Sequence, residues 1–99
     1  MKTYTKDPAA TLDYAIDWSA RLAPSETIAA SAWFIAAQGA STNTLAIEGT
    51  PVSAAGKNTV FLRGGAAGER YLVTNRITTN SSPVARVDER SFIVAIVNT

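Results

Sequence analysis

Leu12-Asp13-Tyr14-Ala15-Ile16-Asp17-Trp18-Ser19 decides the fold class. Leu12, Tyr14, Ile16 and Trp18 fall on one side of an extended chain, and Asp13, Ala15, Asp17 and Ser19 on the other. A period of two marks a strand with one buried face. The aromatic content disfavours helix. Pro8 precedes the element and Ala23-Pro24-Ser25 follows it, so it is bounded by breakers on both sides.

The same pattern recurs downstream. Residues 69–79 read Glu-Arg-Tyr-Leu-Val-Thr-Asn-Arg-Ile-Thr-Thr, with Tyr71, Val73 and Ile77 on one face and Leu72, Thr74, Arg76 and Thr78 on the other. Thr59–Arg63 and Leu45–Glu48 are shorter strands, the latter stopped by Gly49-Thr50-Pro51, with residues 52–57 as a loop. Residues 26–37 are rich in alanine, which favours helix by propensity. The Pro-Ser turn before them and Gln38-Gly39-Ala40-Ser41-Thr42-Asn43 after them favour a strand, which then needs a bulge near Ala32. Residues 85–97 are polar in their first half and apolar on both faces in their second.

Turn signals roughly every ten residues and six or seven short strands predict an all-β chain, an antiparallel immunoglobulin-like β-sandwich of about seven strands. Ninety-nine residues suffice for one domain. Residues 9–99 are assigned to it and residues 1–8 to a flexible N-terminal tail. A chain of this length buries about 60–65% of its unfolded surface, which leaves one modest core. Much of the apolar content is alanine, so the core is expected from Trp18, Trp33, Phe34, Phe61, Tyr71, Phe92 and the aliphatic residues around them.

Composition excludes much chemistry. The chain contains neither His nor Cys. It therefore lacks an imidazole base, a thiolate nucleophile and the usual zinc, haem or iron–sulfur ligands, and no cofactor, metal site or catalytic residue is expected. Ser and Thr are plentiful, but only Lys2, Lys6 or Lys57 could serve as base, which argues against a hydrolase. Asp13 and Asp17 lie about 13 Å apart along one strand face, too far for paired glycosidase carboxylates at about 5–9.5 Å. Gly64-Gly65-Ala66-Ala67-Gly68 is followed by a strand and has no Lys, so it reads as an interstrand turn rather than a phosphate cradle. The net charge is +1 with basic residues scattered, so neither a nucleic-acid stripe nor a basic membrane helix is present. The N-terminus lacks the apolar segment of a secretory signal, which predicts a cytoplasmic site of synthesis.

Three constellations bear on structure and binding. Tyr71 follows Gly68 by three residues at a strand start, as in a tyrosine corner, whose hydroxyl bonds to upstream backbone. Asp88-Glu89-Arg90 enters the last strand as a charged edge or an interface pair. Phe92-Ile93-Val94-Ala95-Ile96-Val97 leaves Ile93, Ala95 and Val97 as surplus apolar residues. A central strand with a covered outer face, or a subunit interface, would each explain them. Aromatic and Arg side chains are the usual interface anchors, so the candidate interface residues are Trp33, Phe61, Arg63, Arg90, Ile93 and Val97.

The order Lys6-Asp7-Pro8, Leu12-Asp13-Tyr14, Ile16-Asp17-Trp18, Glu26-Thr27-Ile28, Trp33, Thr59-Val60-Phe61-Leu62, Gly64-Gly65, Gly68-Glu69, Tyr71-Leu72-Val73-Thr74-Asn75 and Asp88-Glu89-Arg90-Ser91-Phe92 resembles small virion proteins of tailed bacteriophages, of the fiber-tail adaptor type. The likeness covers almost the whole chain. It implies a non-enzymatic structural protein of the virion, assembled in the bacterial host cytoplasm. Such a protein would join tail or neck components to fibers, in multiple copies within a symmetric assembly. The alternative is a carbohydrate- or surface-binding immunoglobulin-like module, for which Asp13, Asp17 and the two Trp could supply parts.

Overall fold

Alternation of apolar and polar residues folds this chain into two stacked sheets. The computed structural model describes residues 2–38, 45–54 and 56–98. Its strands are β1 (Thr3–Lys6), β2 (Thr11–Asp17), β3 (Ile28–Ala37), β4 (Leu45–Ala54), β5 (Lys57–Gly64), β6 (Arg70–Thr79) and β7 (Val87–Ile96), with one 3-10 turn at Ser19–Arg21. One sheet has the order β1-β7-β6-β3 and the other β2-β5-β4. All neighbours are antiparallel except β1 and β7, which run parallel. Two sheets built of strands 2, 5, 4 and 3, 6, 7 give the immunoglobulin arrangement, with the first strand joined to the last. The sequence expectation of a seven-strand sandwich holds.

The core lies between the sheets. Tyr14 and Ile16 of β2, Val60 and Leu62 of β5, Tyr71, Val73 and Ile77 of β6 and Phe92, Val94 and Ile96 of β7 form it, together with Trp18 and Leu45. Tyr14 stacks on Phe92 and Tyr4 meets both rings edge-on, with centroids 5.1–5.4 Å apart, and Trp33 meets Phe92 edge-on at 6.3 Å. Such pairs add about 0.5–1.5 kcal/mol each beyond their burial. The Tyr71 hydroxyl accepts the Ala66 N–H at 3.3 Å, the upstream bond of a tyrosine corner.

A polar cluster sits inside this apolar frame. The Trp18 indole N–H donates to Asn75 Oδ1 at 2.9 Å, and Asn58 Nδ2 donates to the same oxygen at 2.7 Å. Asn75 Nδ2 reaches Ser31 Oγ and the Ala32 carbonyl. Antibody domains join these sheets with a disulfide; here a hydrogen-bonded Trp–Asn contact links the β2 end to β6.

Four sequence expectations need correction. Residues 3–6 are not a loose tail. They pair with Ile93–Ile96, and Lys6 is buried, its ammonium donating to the Asp7 and Gly64 carbonyls at 2.9 and 2.8 Å. Burial lowers the Lys6 pKa, with Asp7 offsetting part of the effect. The irregularity of β3 lies between Ile28 and Ala30 rather than at Ala32. β4 does not stop at Glu48: after a break in register it resumes at Val52 opposite Thr59, because an edge strand tolerates Pro51. Phe34 and Phe61 are 47% and 46% exposed, so they belong to the outer faces and not to the core.

Gly65 shows how tightly the turn before β6 is built. Its φ is +94°, and a Cβ there would lie 2.7 Å from the Ile96 side chain. Gly65→Ala is expected to lower stability by about 1–3 kcal/mol through overpacking and backbone strain. Chemical denaturation measures it, and an unchanged midpoint would contradict this reading of the turn.

Candidate interaction site

β5 is the middle strand of its sheet, so its outward residues sit at the centre of a flat face. Asn58, Val60 and Leu62 point inward; Thr59, Phe61 and Arg63 point out. The register sets Asp13 and Glu48 on either side of Phe61. Arg63 Nε meets Glu48 Oε1 at 2.9 Å, with both side chains about half exposed. An exposed pair of this kind is worth about 0–1 kcal/mol, so it orients the guanidinium beside the aromatic ring more than it holds the fold.

The opposite face repeats the motif. Phe34 projects outward from β3, and the Arg76 guanidinium lies over its ring at 5.1 Å. Arg76 is in turn paired with Glu89 at 2.5 Å. Each broad face of the sandwich therefore presents one exposed phenylalanine beside an arginine–glutamate pair. Aromatic and arginine side chains in this setting are the usual anchors of protein contacts.

The other expected residues are dispersed. Arg90 lies over the Trp18 ring at 5.8 Å and borders an open cleft of about 370 Å³ shared with Lys2, Tyr4, Ile16, Asp17 and Phe92. Val97 is exposed at the end of β7. Trp33 is half-buried against the core, and its indole nitrogen is buried without a hydrogen-bond partner. Ile93 is removed from the candidate surface, because β7 lies between β1 and β6 and Ile93 is 9% exposed. Trp33, Phe61, Arg63, Arg90, Ile93 and Val97 thus form no single patch. Phe34 and Arg76 were missed. Phe34 sits in the run Trp33-Phe34-Ile35, where both faces are apolar and alternation alone does not say which one is buried. Arg76 occupies an outward position that the sequence did assign.

Charged residues of Asp88-Glu89-Arg90 all contact this chain: Asp88 with Arg21 at 2.9 Å, Glu89 with Arg76, and Arg90 with Trp18. Hydrogen bonds from Ser19, side chain first and then backbone, hold the Asp17 carboxyl below its ordinary pKa, with Lys57 and Arg90 adding to the effect. Among the described residues no group of three or more metal-ligating side chains occurs.

Glu26 is the acid best integrated into the fold. It accepts the Ala23 N–H at 2.8 Å and meets Arg86 at 3.3 Å. The Ala23 N–H first, then the Thr79 hydroxyl and the Arg86 charge, hold its pKa below the ordinary value. Its contribution to stability is therefore complete above the unfolded glutamate value of about 4.3 and is lost as pH falls through the lower folded value. Glu26→Gln is expected to reduce stability at neutral pH and to shrink the loss between pH 5 and acid, seen as converging melting temperatures. Parallel pH profiles for the two proteins would contradict this.

The family described as Podophage GP4 fiber-tail adaptor protein gp77 matches residues 6–95. No curated protein and no solved structure matches the chain significantly.

Proposed function

The chain belongs to the podophage fiber-tail adaptor family, and from that premise we propose that it is a non-enzymatic virion protein bridging tail or neck and fiber components. The observation that carries this reading is the pairing of the family match with the two-sided surface: Phe61 with Arg63 and Glu48 on one face, Phe34 with Arg76 and Glu89 on the other. An adaptor must hold two different neighbours at once, and a thin sandwich offers two opposed faces on a rigid frame. The contacts are assigned to Phe61 and Arg63 on one side and Phe34 and Arg76 on the other, with Arg90 and Val97 at the periphery. Multiple copies act together in a symmetric assembly put together in the host cytoplasm, without nucleic acid or membrane as a partner. A sugar-binding reading would need an open Trp platform, whereas Trp18 is fully buried.

Co-expression with the tail and fiber proteins of the same phage, followed by affinity capture, tests this. Wild type is expected to bring down one protein of each kind. Phe61→Glu and Phe34→Glu, both at exposed positions, are expected to lose different partners while keeping the native circular dichroism spectrum. Absence of any complex with wild type would end the adaptor reading.

A further inference from the structure

The basic side chains of this chain fall into two groups. Arg21, Arg63, Arg76 and Arg86 each meet a carboxylate, and Lys6 is buried against two carbonyls. Lys2, Lys57, Arg70 and Arg90 form no ion pair among the described residues. Two of these four, Lys2 and Arg90, line the same open cleft of about 370 Å³, where β1 begins and β2 ends. Lys57 stands beside it, in register with Asp17. Asp17 is the one acid lining the cleft. Its carboxylate already accepts the Ser19 N–H at 2.9 Å and lies in the field of Lys57 as well as Arg90. The Lys2 ammonium lies over the Tyr4 ring at 5.8 Å, and the Arg90 guanidinium reaches only the Asp17 carbonyl, at 3.5 Å, and the Trp18 ring. Rings and carbonyls steady a cation but do not neutralise it.

One wall of this cleft is an open sheet edge. β1 pairs only with residues 93–96 of β7. Residues 87–92 of that edge have no partner strand on this side among the described residues. The Ile93 and Val97 N–H groups donate to the Lys2 and Lys6 carbonyls. Alternation along the strand turns the main-chain groups of Ser91 the same way, toward the cleft that Ser91 lines. Tyr4, Ile16 and Phe92 give the cleft an apolar floor. We propose that it holds an extended acidic segment of another protein, laid along the uncovered part of β7 in line with β1, with a carboxylate between Lys2 and Arg90. Main-chain bonds at Ser91 set the position of the segment, as when a peptide adds a strand to a sheet. The two cations select its charge, through bonds roughly twice as strong as neutral ones. The apolar floor receives the methylene groups of a glutamate better than a bare phosphate. Nucleic acid fits less well, because its binding neutralises several phosphates along a stripe, whereas the cleft offers two cations. Neither Phe61 nor Phe34 lines the cleft, and its occupancy does not depend on the adaptor reading.

The test titrates the full chain, labelled with nitrogen-15, with a short blocked peptide of alternating glutamate and threonine at low ionic strength. Amide shifts are expected to change at residues 2–4, 15–17 and 89–92 and to saturate together. The same peptide with glutamine for glutamate is expected to bind about tenfold more weakly or worse, the effect of losing one charge-assisted bond. Lys2→Gln changes an exposed side chain ahead of β1 and is expected to weaken the glutamate peptide by about the same factor. Arg90→Gln should match it. Arg70→Gln removes equal charge at the start of β6, outside the cleft, and is expected to leave the affinity within about twofold. Absence of binding by the glutamate peptide overturns the proposal. So do shifts spread over the whole surface, equal binding of the glutamine peptide, or equal losses from Lys2→Gln and Arg70→Gln. A short single-stranded oligonucleotide that displaces the peptide from the same residues at lower concentration would also overturn it.

Discussion

Trp18→Ala is expected to remove about 3–5 kcal/mol of stability, the range for deleting a large aromatic side chain from a closed core. Trp18 has no exposed surface, and it is the largest fully buried side chain. It sits where β2 passes into the 3-10 turn, and its own N–H donates to the Gly56 carbonyl at 2.8 Å, which fixes its backbone against the turn before β5. Its ring carries Arg90 on one side and hydrogen-bonds Asn75 with its edge. Truncation leaves a cavity between the sheets and takes one donor from Asn75 Oδ1. Domains of this size hold about 5–15 kcal/mol in all, so the variant is expected to be partly unfolded at ordinary temperatures. Urea denaturation with a circular dichroism readout measures the change; a loss under 1 kcal/mol would mean that the core is not organised around this residue.

Asn75→Val comes second in size, at about 2–3 kcal/mol. The substitution nearly keeps the volume, so the loss is a matter of hydrogen bonds. Asn75 Oδ1 is the acceptor for both Trp18 Nε1 and Asn58 Nδ2. Asn58 retains Ser31 Oγ at 3.0 Å, but the indole N–H is left buried without its acceptor, at a cost of about 1–3 kcal/mol. A double-mutant cycle separates this from packing. Trp18→Phe removes the indole donor, so Asn75→Val should cost clearly less in the Trp18→Phe background than in wild type. Equal costs in both would show that the Trp18–Asn75 bond contributes nothing.

The sandwich itself was legible because β2 and β6 alternate cleanly, and because glycine and proline punctuate the chain at strand-length intervals. Tyr71 was legible for the same reason, through its place after Gly68. Asn75 occupies an inward position between Val73 and Ile77, so its parity pointed to the core; its polarity hid it, since only the tertiary fold supplies Trp18, Asn58 and Ser31 as partners. β1 was invisible because Thr-Tyr-Thr-Lys has no apolar alternation to read; its strand character comes from the free edge of β7, and its buried lysine is tolerated by two carbonyls, that of the adjoining Asp7 and that of the distant Gly64. Phe61 and Phe34 were misread because both faces of their strands carry apolar residues. Only the neighbouring strands settle which row is covered. The candidate surface was legible as residue types but not as a place, since alternation does not say which outward residues share a face.

The parallel run of β1 against β7 has a mechanical consequence. Thr3 lies beside Ile93 and Lys6 beside Ile96, so the beginning of the first strand and the finish of the last point to opposite ends of the same ribbon. Tension drawn through the two chain termini would load the evenly spaced bonds of a parallel ladder together, in shear, instead of peeling them one at a time. Lys6, clamped to the Gly64 carbonyl of the other sheet, adds a cross-tie at the point where that load would concentrate.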